Sequence, residues 1–247
     1  NPTCGKRFDS IGVESTEKNR RDYREMLFRS KGMKGNIGGV ILFDETIRQS
    51  AADGTLLRDL ILDQGALPGI KVDKGLQPID ECPGETITVG LDGLDERLKE
   101  YASMGAKFTK WRAVINIGDG TPTDKCIDAN MEALADYAKC AQENGMVPIV
   151  EPEVLMDGEH SIDECCEATD RSLRSLFMHL IHKGVNIKGT LLKPNMVTSG
   201  KDASVQAGID EVAKKTLDCL IANVPVDLPG ITFLSGGQSD VLATAHL

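Results

Sequence analysis

From Gly39 onward, short apolar β-branched runs alternate with longer amphipathic stretches, and this alternation restricts the fold more than any other feature of the chain. The runs are GVILF (39–43), GIKVD (69–73), FTKWRAV (108–114), VPIVEPE (147–153), TLLKP (190–194) and GITFL (230–234). Between them, apolar residues recur at helical spacing: Leu91, Leu94, Leu98 and Tyr101; Ile127, Met131, Leu134 and Ala138; Leu173, Leu176, Phe177 and Leu180; Val212, Thr216, Cys219 and Leu220. Strands that alternate with helices over short loops run parallel and are joined by right-handed crossovers. Neither Gly-x-Gly-x-x-Gly nor a P-loop pattern occurs, which counts against a nucleotide-binding open sheet. The expectation is an α/β chain folded as a parallel (β/α)8 TIM barrel, one domain over residues 1–247. Strand starts lie about 38 residues apart, so eight units would need about 305 residues. Six strands are visible, preceded by a helix over 16–27, so the reading is a barrel with about six of its eight strands, truncated at both ends.

With 38 acidic against 28 basic residues, the net charge is −10, which argues against an extended nucleic-acid or anionic-membrane surface. No apolar run is long enough to span a bilayer. Seven cysteines, an odd count without Cys-x-x-Cys spacing, read as reduced thiols of an intracellular protein. The adjacent Cys165 and Cys166 point apart if they lie on a helix. His179 and His182 have a chelating spacing, but their amphipathic context reads as an outer helix face, so no metal site is expected.

Buried parallel strands should read as near-continuous hydrophobic runs. Four of these six do not. Lys71 and Asp73, Lys110 and Arg112, and Glu151 and Glu153 are each two apart, which places each pair on one strand face, and Lys193 adds a fourth strand. These seven charges sum to four positive and three negative, a locally positive concavity for an anionic small molecule in an acidic protein. Ion pairs that only hold the barrel together are the alternative. Seven buried charges are a costly way to gain stability, however, and a barrel keeps its chemistry at the carboxyl ends of its strands. After the last run comes Ser235-Gly236-Gly237-Gln238-Ser239, where glycines let backbone N–H groups approach an anion and Ser239 can cap a following helix. A tight strand-to-helix turn is the plainer reading of the same residues. For Lys193, on a buried strand with Lys110 able to face it, Schiff-base nucleophilia fits well, because desolvation and a second cation both favour a free amine. Glu151 and Glu153 would supply proton transfer. A phosphate-binding role for Lys193 stays open on these grounds.

These residues carry a family resemblance. The stretches SIGVESTEKNRRDYREMLF (10–28), GGVILFDET (38–46), GIKVDKGL (69–76), GLDGLDERLKEY (90–101), KWRAV (110–114), NGMVPIVEPEVLMDGEH (144–160), GTLLKPNMVTSG (189–200) and GITFLSGGQS (230–239) resemble the class I fructose-bisphosphate aldolases across essentially the whole chain. The resemblance implies that Lys193 is the Schiff-base lysine and Lys110 a catalytic lysine. It makes Glu151 the acid/base for Schiff-base formation, with Glu153 supporting. Arg112 would handle phosphate, Lys71 would bind the distal phosphate with Asp73 beside it, and Ser235, Gly236 and Gly237 would hold the phosphate next to the ketone. It also implies a phosphorylated-sugar substrate, no cofactor, no metal, a homotetramer, and a cytoplasmic location with the plastid as alternative. The family's catalytic aspartate of the first strand would precede Asn1, and a phosphate-binding arginine of the last strand would follow Leu247. Residues 1–247 alone are therefore expected to fold poorly and to be nearly inactive. Another lysine-dependent sugar-phosphate aldolase, such as a transaldolase or deoxyribose-phosphate aldolase, and a non-catalytic sugar-phosphate-binding barrel are the alternatives.

Overall fold

A computed structural model describes residues 2–247. The chain divides into two compact units, Asn1–Lys71 with Arg97–Thr109, and Val72–Glu96 with Lys110–Leu247.

The first unit holds helices α1 (Pro2–Asp9) and α2 (Glu17–Phe28), strand β1 (Gly39–Leu42), helices α3 (Asp44–Arg48) and α4 (Leu57–Asp63), and strand β2 (Leu67–Lys71). Thr16 starts α2 by accepting a 3.1 Å hydrogen bond from the Asn19 N–H, which satisfies one of the free donors of the first turn. The two strands are parallel, with Gly39 opposite Leu67 and Leu42 opposite Ile70. Phe28, Leu42, Ile47, Leu57, Ile61 and Ile70 are buried around them. Glu45, on α3, receives Arg20 and Arg24 from α2, each at 2.5 Å.

In the second unit a two-stranded antiparallel hairpin, β3 (Leu76–Ile79) and β4 (Cys82–Thr88), comes first. Helix α5 (Leu94–Ser103) and strand β5 (Phe108–Ile115) follow, each crossing the division between the units. Then come α6 (Asp124–Glu143), β6 (Val147–Val154), α7 (Ile162–His182), a single 3₁₀ turn (Ile187–Gly189), β7 (Leu191–Leu192), α8 (Ile209–Asn223) and α9 (Asp240–His246). Strands β6 and β7 are parallel, Ile149 opposite Leu191 and Val150 opposite Leu192. Thr123 caps α6, and a reciprocal Ser161–Glu164 capping box opens α7. Ser239 caps α9, as its position after the glycines predicts.

Several sequence expectations shift. The run 69–73 becomes a strand that ends at Lys71, so Lys71 and Asp73 do not share a strand face. Strand β7 is only two residues long, and 230–234 is a single parallel bridge, Leu192 to Ile231, because Pro194 has no N–H with which to continue the ladder. The backbone is nonetheless paired, since Thr232 N–H donates to Leu192 C=O at 2.9 Å and Leu234 N–H donates to Pro194 C=O at 3.2 Å. Helices α1, α3 and α4 and the β3–β4 hairpin fall outside the predicted elements.

Candidate active site

Strand β5 separates its two faces cleanly. Trp111 is fully buried and stacks on Tyr137 of α6, ring centroids 5.4 Å apart. Tyr137 in turn donates its hydroxyl proton to the Ile149 carbonyl of β6 at 3.2 Å. The aromatic pair therefore ties β5, α6 and β6 together from the outer side, and the opposite parity of β5 presents Lys110 and Arg112. The same alternation along β6 presents Glu151 and Glu153, which are 3% and 6% exposed.

These four residues and Lys193 meet. The Glu151 carboxylate lies between two ammonium groups: Lys110 Nζ is 2.5 Å from its Oε2, and Lys193 Nζ donates to its Oε1. Glu153 accepts from the Arg112 Nε. Burial would lower the Arg112 pKa, but the hydrogen bond it donates to Glu153 and the charges of Glu153, Glu151 and Asp73 outweigh it and hold the guanidinium above its ordinary value. Asp73 also accepts from the Arg112 backbone N–H at 3.4 Å.

Backbone contacts fix these groups. Lys193 N–H donates to Val150 C=O at 2.8 Å, which sets Lys193 beside Glu151 although it lies one residue beyond β7. Asn195 reaches back, its Oδ1 accepting from Val154 N–H at 3.0 Å and its Nδ2 donating to Thr169 Oγ1 at 3.1 Å. On the hairpin side, Thr88 donates its hydroxyl to the Arg112 carbonyl at 2.8 Å. The loop after β6 and the segment after Asn195 are laced together, with Gly200 N–H on His160 C=O and Lys201 N–H on Met156 C=O. A Cβ at Gly200 would stand 2.3 Å from the Gly158 carbonyl oxygen, so only glycine permits this approach. Gly236 and Gly237 have φ of 65° and 101°, the left-handed region that glycine alone enters cheaply, and they turn the chain next to Met156.

Of the residues singled out from sequence, Asp73, Lys110, Arg112, Glu151, Glu153 and Lys193 form one connected cluster in the second unit. Ser235, Gly236 and Gly237 belong to the same unit, on a segment hydrogen-bonded to Pro194. Lys71 belongs to the first unit, where it lines a 320 Å³ cavity with Arg24, Tyr23 and Phe43. Asn195, Thr169 and Thr88 position the cluster and were not picked out from sequence. A polar residue two positions after Lys193 is the one signal that could have found Asn195. His179, read as an outer-face histidine, pairs with Asp128 at 2.7 Å.

A buried carboxylate bridging two lysines at the strand ends coincides residue by residue with the motifs noted above. The family model "Fructose-bisphosphate aldolase class-I" matches residues 1–247. The chain belongs to the class I fructose-bisphosphate aldolase family. That makes it a lyase of a family acting on phosphorylated sugars, whose fold is the (β/α)8 barrel. Among its relatives, a probable fructose-bisphosphate aldolase class 1 of Xanthomonas campestris pv. campestris is 55% identical over 99% of this chain and 73% of its own length. The cytosolic fructose-bisphosphate aldolase 4 of Arabidopsis thaliana is 49% identical over 99% of this chain and 62% of its own. The chloroplastic fructose-bisphosphate aldolase 1 of Chlamydomonas reinhardtii is 50% identical over 100% and 65%. Among solved structures, the aldolase of Plasmodium falciparum, in a ternary complex with TRAP and a small-molecule inhibitor, gives a TM-score of 0.97 at 45% identity, covering 99% of this chain and 71% of that one.

Proposed function

We propose that the full-length protein carrying these residues cleaves fructose 1,6-bisphosphate reversibly to dihydroxyacetone phosphate and glyceraldehyde 3-phosphate through a Schiff base on Lys193. The observation that carries this reading is the Glu151 carboxylate held between Lys193 and Lys110. Glu151 takes a proton from Lys193, and the freed amine attacks the substrate ketone. Returned to the carbinolamine hydroxyl, the same proton lets water leave and an iminium form. The iminium accepts the electrons of the C3–C4 bond as a carboxylate base, the role the resemblance gives to the family's first-strand aspartate, takes the C4 hydroxyl proton, and the aldehyde is released. Protonation of the enamine at C3 and hydrolysis of the imine then free the ketose phosphate. Lys110, on the other carboxylate oxygen, keeps Glu151 oriented and offers a second charge to the developing oxyanion.

Phosphate recognition falls to Arg112, oriented by Glu153, and to Lys71 for the distal phosphate. The backbone N–H groups of Ser235, Gly236 and Gly237 hold the phosphate next to the ketone. A homotetramer in the cytoplasm is the assembly and location we infer, the plastid being the second reading, since cytosolic and chloroplastic relatives match nearly equally. Steady-state cleavage assays test the roles. Glu151→Gln is expected to lower kcat by about 10²–10⁴-fold with a much smaller change in KM. An unchanged kcat in folded Glu151→Gln protein would remove Glu151 from the reaction.

A further inference from the structure

Helices α7 and α8 run side by side in the same direction and meet along a polar seam. Asp163, Cys166 and Asp170 share one face of α7, while Lys215, Cys219 and Asn223 share one face of α8. At one end of the seam Lys215 Nζ donates to Asp163 Oδ1 at 2.6 Å, and at the other Asn223 Nδ2 donates to Asp170 Oδ1 at 2.8 Å. Between these two ties, Cys166 and Cys219 occupy facing positions of the seam. Cys219 is buried and Cys166 half-buried, and both line a 430 Å³ surface cavity with Glu167 and Asp218. The neighbouring Cys165 lies on the buried side of α7, one turn before the buried Thr169.

We propose that Cys166 and Cys219 are a reversible dithiol–disulfide pair, a redox modification site that joins α7 to α8 and exchanges with small-molecule disulfides. The two ties hold the helices in register with Cys166 opposite Cys219, so an S–S bond of about 2.05 Å would join residues that already share one cavity. In the first step the Cys166 thiolate, reached from the cavity, attacks a disulfide RSSR, forming Cys166–S–S–R and expelling RS⁻. The Cys219 thiol then loses its proton and attacks the Cys166 sulfur, expelling the second RS⁻. Two cysteine thiols are oxidised, one external disulfide is reduced to two thiols, and the two protons leave with them. Burial raises both thiols, Cys219 to about 12, while Lys215 draws Cys166 down. The exchange is therefore slow near neutrality and quickens with pH.

The purified protein is incubated in glutathione buffers of increasing disulfide fraction, quenched with N-ethylmaleimide, digested and mass-mapped. The expected product is a peptide pair two hydrogens lighter, with the link on Cys166 by fragmentation. Dithiothreitol should reverse it, Cys165→Ser should retain it, and its rate should rise about tenfold per pH unit below the thiol pKa. Cys219→Ser is expected to stop at a glutathione adduct on Cys166. Two results would overturn the proposal: folded protein in which Cys140 acquires glutathione while Cys166 and Cys219 stay reduced, or a link that joins Cys165 instead.

Discussion

At the scale of single residues, the cluster works by sharing carboxylates. Glu151 serves two lysines and Glu153 serves one arginine, so no carboxylate of β6 is left facing an apolar wall. The two positions should separate in kinetics. Glu153→Gln loosens Arg112, the phosphate-handling group, without touching the Lys193 amine. We expect it to raise KM several-fold with kcat within a few-fold of the parent, as saturation kinetics with fructose 1,6-bisphosphate will report. A kcat loss as deep as that of Glu151→Gln would put Glu153 in the chemistry itself. Glu45, in the first unit, is a different kind of carboxylate. The Arg20 hydrogen bond foremost, together with Arg24, holds its pKa down to about 2 against the opposing effect of burial. A depressed folded-state pKa contributes stability that is complete above the ordinary carboxyl range near 4.5 and is lost as pH falls toward about 2. Glu45→Gln should therefore cost on the order of 2 kcal/mol near neutrality, and the difference from the parent should vanish in acid. Chemical denaturation at several pH values checks this.

Among the elements, β5 and β6 were the most legible because their charges fall at one parity while Trp111, Ala113 and Val150 fall at the other. That pattern located both strands to within a residue and singled out the residues that now meet. Other elements were hidden for physical reasons. In the hairpin, β3 is largely exposed and β4 buries Cys82 and the polar Glu85 and Thr88, so it lacks the apolar alternation by which half-buried strands are read, and its docking onto α6 rests on side chains such as Asn130, which accepts from Thr88 N–H at 3.2 Å. Around Lys193, Pro194 ends the ladder, so a strand read from apolar residues shrinks to two. Thr169 and Thr88 act through contacts distant in sequence, which no spacing rule reveals. The outer buttress of the site is testable at this scale. Tyr137→Phe removes the hydroxyl donated to the buried Ile149 carbonyl and should cost about 1 kcal/mol, while Trp111→Ala should cost about 3–5 kcal/mol. Urea titration with activity measured in parallel distinguishes a packing role from a catalytic one, since Tyr137→Phe is expected to leave kcat nearly unchanged.

For the whole molecule, membership of the class I aldolase family and a cluster built around a lysine amine lead to the same account. In it the iminium supplies the electron sink. Incubation with EDTA is therefore expected to leave the cleavage rate unchanged, and a loss restored by a divalent cation would contradict that. The central claim is the covalent one, and borohydride trapping with dihydroxyacetone phosphate followed by peptide mass mapping tests it most directly. The account predicts a reduced adduct on Lys193, absent in Lys193→Met and formed more slowly in Glu151→Gln. Folded protein that yields no adduct, or one on another lysine, would contradict it.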